Sequence, residues 1–246
     1  MEWTDSGFIL ATRRHGETSL IVEAFTPAHG RHLGLVKGGR SARLRAVLQP
    51  GNRARLTWRA RLSEHLGHFT VEAEGSRAAD IMLDSMALAG LNTLTALVRL
   101  LPERDPHDQL YALFEQIAAA LPDRPGWLGD LARFELRILA ELGFGLDLES
   151  CAATGTSEDL VYVSPKSGRA VSAAAGAPYA GRLLALPAFL AREDALPESA
   201  AALLDAFALT GFFLDRDIYG PRAISAPQSR ERLLRLLREA GGGAAP

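Results

Sequence analysis

Nine fixed cations, Arg31, Lys37, Arg40, Arg43, Arg45, Arg53, Arg55, Arg59 and Arg61, fall between Ala24 and Ser63, a stretch without a single Asp or Glu. A one-signed cluster repels itself in a folded chain and calls for a partner of opposite charge. A polyphosphate backbone is such a partner, because each phosphate neutralised by Arg or Lys releases condensed counterions. Other residue patterns suggest other chemistry. His29/His32 and His65/His68 have i,i+3 spacing, but on strands or turns that spacing sends the two rings to opposite faces, which argues against metal ligation. Asp215 and Asp217 flank Arg216, with Phe212-Phe213 before them and Ile218-Tyr219 after. They read as capping or pairing groups at a helix end, and a metal-dependent nuclease built on them is the enzymatic alternative. There is no Walker loop, no G-x-S-x-G, no H-E-x-x-H and no dinucleotide glycine fingerprint. No catalytic residue, metal or cofactor is expected.

The elements that must position the cations follow from periodicity. Over Arg53–Leu62 the arginines at 53, 55, 59 and 61 occupy odd positions, and Ala54, Leu56, Trp58, Ala60 and Leu62 even ones. As a strand, this is a basic outer face backed by an apolar inner face, with Trp58 in the core. Lys37-Gly38-Gly39-Arg40-Ser41-Ala42-Arg43-Leu44-Arg45 reads as a glycine-hinged basic loop leading into a short helical piece at about 41–47. Further strands are predicted from Gly7, over Ser19–Thr26, near 31–36 and over 66–73. Five strands with a short helix between the third and fourth match the OB-fold, a partly open barrel that commonly binds oligonucleotides.

After Gly75 the pattern turns helical. One long apolar helix is predicted from Asp80 to Leu101, others after Pro106 and Trp127, near 187–191 and 197–214, and from Ser225 or Ser229. A hairpin is predicted at 160–164 and 169–171. The domain reading is an OB-fold over 1–78, a helical domain over 79–240 with an insert at about 147–180, and a disordered tail over 241–246.

Charge divides unevenly. Residues 1–78 hold 12 Lys+Arg and 7 Asp+Glu, a net of +5, while the remainder carries 15 and 22, a net of −7. This asymmetry fits a nucleic-acid-facing module joined to something else. Cys151 is the one cysteine, so no disulfide forms within the chain, which fits a reducing cytosol. The acidic start lacks a signal peptide's basic region. No apolar run approaches the roughly 18–20 residues of a membrane span.

Several segments together resemble the RecO family of bacterial recombination and repair mediators. They are Glu17–Glu23, His29-Gly30-Arg31, Gly34–Ser41, Leu48–Gly51, Phe134–Arg137 with Leu142–Gly145, and Ser164–Arg169. The resemblance covers nearly the whole chain, its specificity lying in the order of the segments. It implies an α+β protein, an N-terminal OB-fold followed by a helical domain. It also implies cytoplasmic, nucleoid-associated work on single- and double-stranded DNA and strand annealing. The partners implied are RecR, the C-terminal tail of single-strand-binding protein and, indirectly, RecA. Many members carry a four-cysteine zinc motif in the insert; the matching positions here are Cys151, Thr154, Ser172 and Ala175, too few thiols for a structural zinc. A protein-interaction adaptor that meets an acidic tail is the non-DNA alternative.

Overall fold

In a computed structural model the described residues are 1–124, 126–192 and 194–242. They form two compact units, Met1–Asp123 and the residues from Arg124 onward.

The first unit begins with five strands: β1 Glu2–His15, β2 Ser19–Thr26, β3 Gly30–Val36, β4 Arg53–Arg59 and β5 His68–Gly75, with helix α1 (Ala42–Val47) between β3 and β4. Their hydrogen-bonded order is β1-β2-β3-β5-β4, and the sheet closes into a barrel because β4 returns to β1. The β3–β5 seam is parallel and pairs only Leu35 with His68. The first strand, expected from Gly7, already begins at Glu2 and runs to His15 because it serves two partners. Residues 2–8 pair with β4 and residues 8–15 with β2, with a register shift between Ile9 and Ala11. Ile9, Val22, Ala24, Leu56, Trp58 and Phe69 fill the interior, each large side chain contributing about 1.5–3 kcal/mol of burial.

The alternation in β4 holds where the ladder holds. Arg53, Arg55 and Arg59 are exposed, while Ala54, Leu56 and Trp58 are buried. It fails at Leu62, which is 45% exposed, because the strand stops at Arg59 and no pairing fixes the faces beyond it. The predicted helix over 80–101 is two helices, α2 (Ala78–Leu83) and α3 (Ser85–Val98). The break falls at Asp84, whose extended backbone lets its carboxylate accept from the amides of Met86 (2.8 Å) and Ala87 (2.9 Å). An Asp side chain that can cap a helix start competes with continuing the previous helix.

Helix α4 (Asp108–Ala120) packs on the outside of the barrel. Phe114 meets Phe8 and Phe25 at ring separations of 5.0 and 5.7 Å, and Tyr111 meets Phe25 at 5.2 Å. The loop before α4 lies against the start of β3 at Gly30. There φ is +58°, and a Cβ would sit 1.9 Å from the Asp105 carbonyl oxygen, so only glycine fits.

The second unit contains α5 (Trp127–Glu141), α6 (Ala173–Gly176), α7 (Ala188–Ala191), α8 (Ala200–Leu214) and α9 (Gln228–Gly242). The predicted hairpin is present as β6 (Leu160–Val163) and β7 (Ala170–Ser172), and β8 (Leu184–Ala185) adds a third strand in the order β7-β6-β8. Glu135 of α5 is fully buried; its carboxylate accepts from Arg230 Nε at 2.7 Å and Nη2 at 3.0 Å, and from the Thr210 hydroxyl. Residues 241 and 242 finish α9, and the rest of the tail predicted to be disordered lies outside the described residues.

Candidate nucleic-acid interface

The nine cations do not share one environment. Arg31 is an internal tie: its guanidinium bonds the buried Glu23 carboxylate and, through Nε, the Leu101 carbonyl at 2.9 Å. Arg53 pairs with Glu115 and, at 3.6 Å, with Glu74. Arg59 bonds Glu2 at 2.7 Å, a contact on the surface. The stretch is free of acids along the chain but not in space, because Glu2 of β1 and Glu72 and Glu74 of β5 flank the arginines of β4.

Five others, Lys37, Arg43, Arg45, Arg55 and Arg61, are exposed and make no ion pair among the described residues. Three of them lie on the turn and helix after β3. Ser41 caps α1 by accepting from the Leu44 amide, which holds Arg43 and Arg45 on a helix with no buried residue. Arg40 fastens this segment to the β1–β2 turn: its amide donates to the Thr18 carbonyl at 3.1 Å and its guanidinium to the Glu17 carbonyl.

That fastening adds cations outside the acid-free stretch. Arg14, Leu20 and Val36 stand side by side across β1, β2 and β3, so exposed Arg13 and Arg14 are carried to the same edge as Lys37. The signal in the sequence was the run Arg13-Arg14-His15-Gly16 at a hairpin tip, separated from the main cluster by Glu17 and Glu23.

The histidine geometry differs from the reading of opposite faces. His29 and His32 converge on Trp3, His29 stacked parallel at 3.9 Å and His32 edge-on at 5.1 Å. His29 is the last residue of the turn at 27–29 and lies outside β3, so strand alternation does not relate it to His32. No cluster of three His, Cys, Asp or Glu able to hold a metal lies among the described residues. Asp217 is bound by its neighbour Arg216 at 2.7 Å, whose guanidinium lies 4.6 Å over the Phe213 ring. In the insert, the amide of Ser172 donates to buried Cys151 Sγ at 3.3 Å. The hydroxyls of Ser172 and then Thr154 pull the thiol down to about 6. The Ser172–Cys151 contact joins two of the four positions that match the zinc motif. No helix is long and apolar enough to cross a membrane among the described residues.

An N-terminal five-stranded barrel followed by a mainly helical remainder defines an α+β protein with a small β-module at its head. The profile described as Recombination protein O N terminal matches residues 1–76, and Recombination protein O C terminal matches residues 82–225. The chain belongs to this family, RecO. It is 58% identical over 239 residues to the DNA repair protein RecO of Mesorhizobium japonicum, covering 97% of this chain and 94% of that protein. Its identity to the proteins of the same name is 57% over 235 residues in Chelativorans sp. (95% and 94% covered) and 54% over 240 residues in Methylobacterium nodulans (96% and 98% covered).

Proposed function

We propose that this chain is a non-catalytic mediator of DNA repair that holds DNA by its phosphates on the barrel. The observation that carries this is the edge formed by Lys37, Arg43 and Arg45 beside Arg13 and Arg14, a set of exposed cations with no acidic partner among the described residues. Arg40, Arg53, Arg55, Arg59 and Arg61 extend the phosphate track, and Arg31 supports it from beneath. Phosphate contacts position a nucleic acid without reading its sequence, so single and double strands are both substrates. Two complementary strands, each partly neutralised and not locked by base-specific contacts, anneal on such a surface. The family membership supports the finer part of the reading. With RecR, and through the acidic tail of single-strand-binding protein, the protein helps place RecA on covered DNA in the nucleoid-containing cytoplasm. The functional division at 78/79 belongs to the same proposal, the barrel binding DNA and the remainder binding partners.

The test is oligonucleotide binding across a salt series with Lys37, Arg43 and Arg45 all changed to Glu. Each phosphate contact contributes about 0.7–0.9 to the slope of log K against log salt, so the slope should fall by about 2–3 and annealing should slow. Unchanged affinity with an intact far-ultraviolet spectrum overturns the reading.

A further inference from the structure

One end of the barrel carries a pocket that the phosphate track does not use. It has a volume of about 480 Å³ and is walled by Trp3, His29, His32, Trp58 and Arg104, with Glu2 at its rim. That size lies within the range of small-ligand sites. Trp3 and His29 form a flat platform, tilted by 10°, and Trp58 lies behind Trp3 at 6.0 Å. Asp5 steadies the platform by accepting from the Ala28 amide at 3.1 Å and meeting His29 Nδ1 at 3.3 Å. At right angles to it stands His32, only 3% exposed, with neither ring nitrogen partnered. Arg104 Nε is also buried without a partner, although the same guanidinium donates to the His65 carbonyl at 2.9 Å. Arg104 adopts a left-handed backbone, φ 65°. Such strain in a non-glycine residue persists only where the surroundings hold it, and it concentrates at functional sites.

A buried polar group with no partner costs free energy, and here two such groups belong to residues that line the same pocket. Burial, then the nearby charges of Arg104 and His29, lower the His32 pKa to about 4. The ring is therefore neutral in the cell and offers one N–H donor and one acceptor nitrogen. Arg104 Nε adds a second donor. The uncharged imidazole brings no charge for a phosphate, and the Glu2 carboxylate that also lines the pocket is already paired with Arg59. A flat heterocycle that stacks on one face and both donates and accepts along one edge satisfies every feature.

We propose that this pocket receives one unstacked nucleobase of a single strand, which extends the Trp3–His29 stack and turns its polar edge to His32 and Arg104. This rests on the DNA-binding reading above and adds a base-dependent contact to it. Capturing an unpaired base gives the surface a way to tell single strands from duplex, in which the bases are stacked and paired. One captured base also leaves the rest of a strand open to its complement.

The experiment compares an oligothymidylate with the same oligomer carrying abasic sites, and with duplex, across a salt series. The wild-type protein should hold the oligothymidylate at least about fivefold more tightly than the abasic strand, the lower end of what stacking one base contributes. His29→Ala, a half-exposed position, and His32→Ala should erase that preference while leaving the salt slope and duplex affinity unchanged. If His32→Ala fails to fold, His29→Ala alone decides. Equal wild-type affinity for normal and abasic strands overturns the pocket, as does a preference that survives His29→Ala. Absence of salt-dependent binding to all three ligands overturns the DNA-binding reading and the pocket with it, a result distinct from loss of the base preference alone.

Discussion

Arg31 of β3 and Glu23 of β2 are joined diagonally across neighbouring strands, the register setting Arg31 opposite Phe25 and Glu23 opposite Leu33. The guanidinium donates to Glu23 Oε1, while Oε2 accepts from Arg99 Nε at 2.8 Å. The acid-free stretch begins at Ala24, one residue after the carboxylate that neutralises its first cation. Removing one partner of a largely buried pair leaves the other charged and poorly solvated, at a cost of about 3–5 kcal/mol. Glu23→Ala should therefore lower stability by about 3 kcal/mol in urea unfolding. Arg31→Ala should also destabilise, with a smaller loss in the salt slope of DNA binding than removal of Lys37.

Asn52 ties the end of α1 to the start of α2. Its amide group donates to the Ala46 carbonyl at 2.8 Å, and its oxygen accepts from the amides of Arg77 and Ala78, both at 3.1 Å. The residue is 1% exposed, so Asn52→Ala strands backbone groups away from water. Each unsatisfied group costs about 1–3 kcal/mol. We expect a loss of at least about 2 kcal/mol in the denaturation midpoint analysis, with Asn52→Asp intermediate because it keeps the acceptor.

His32 gives stability a pH dependence of defined sign. Its folded pKa, near 4, lies below the ordinary 6.5 because of burial first and the charges of Arg104 and His29 second. Between those values the unfolded chain takes up a proton that the folded chain does not. Stability contributed by neutral His32 is thus present above pH 6.5, falls as pH drops towards 4 and is fully lost below it. The span corresponds to about 3 kcal/mol. Unfolding free energy followed from pH 7 to pH 4 should lose this component in His32→Phe; an identical profile in that variant refutes the assignment.

Arg53 and Arg55 point the same way from β4 but differ in surroundings. Arg53 meets Glu115 and Glu74, while Arg55 makes no ion pair among the described residues. Arg55→Gln should weaken oligonucleotide binding with stability unchanged within about 0.5 kcal/mol, whereas Glu at this position would face Glu72 across the β4–β5 register. Arg53→Glu should also destabilise, by about 1 kcal/mol, because it sets like charges together at a partly exposed site. Thermal melts of the two variants distinguish them.

The buried Glu135–Arg230 pair supports the second unit. Glu135→Ala leaves Arg230 unpaired and should cost about 3–5 kcal/mol, read as an early transition in thermal unfolding. Gly211 makes room for that guanidinium, since a Cβ there would stand 2.9 Å from Arg230 Nη1. Enlarging it to Leu should destabilise the same transition without altering phosphate contacts on the barrel.

Features that rest on local periodicity and composition could be read along the chain before any fold was known. The span of β2, the two faces of β4, the hairpin at 160–171 and the helix after Trp127 were legible because side-chain direction in a paired strand or helix follows from position alone, and the run of cations uninterrupted by acids was legible from residue order. Features that depend on partners distant along the chain emerged with folding. Barrel closure brought Glu2, Glu72 and Glu74 to the arginines of β4, and Glu23 to Arg31, so that some cations became ties and others stayed available. The turn at 27–29 brought His29 and His32 to one tryptophan, and Asp84 broke a continuous apolar run into two helices. Periodicity sets the face on which a residue lies, but which residue stands opposite is set by strand pairing across tens of residues, and charge neutralisation depends on that pairing.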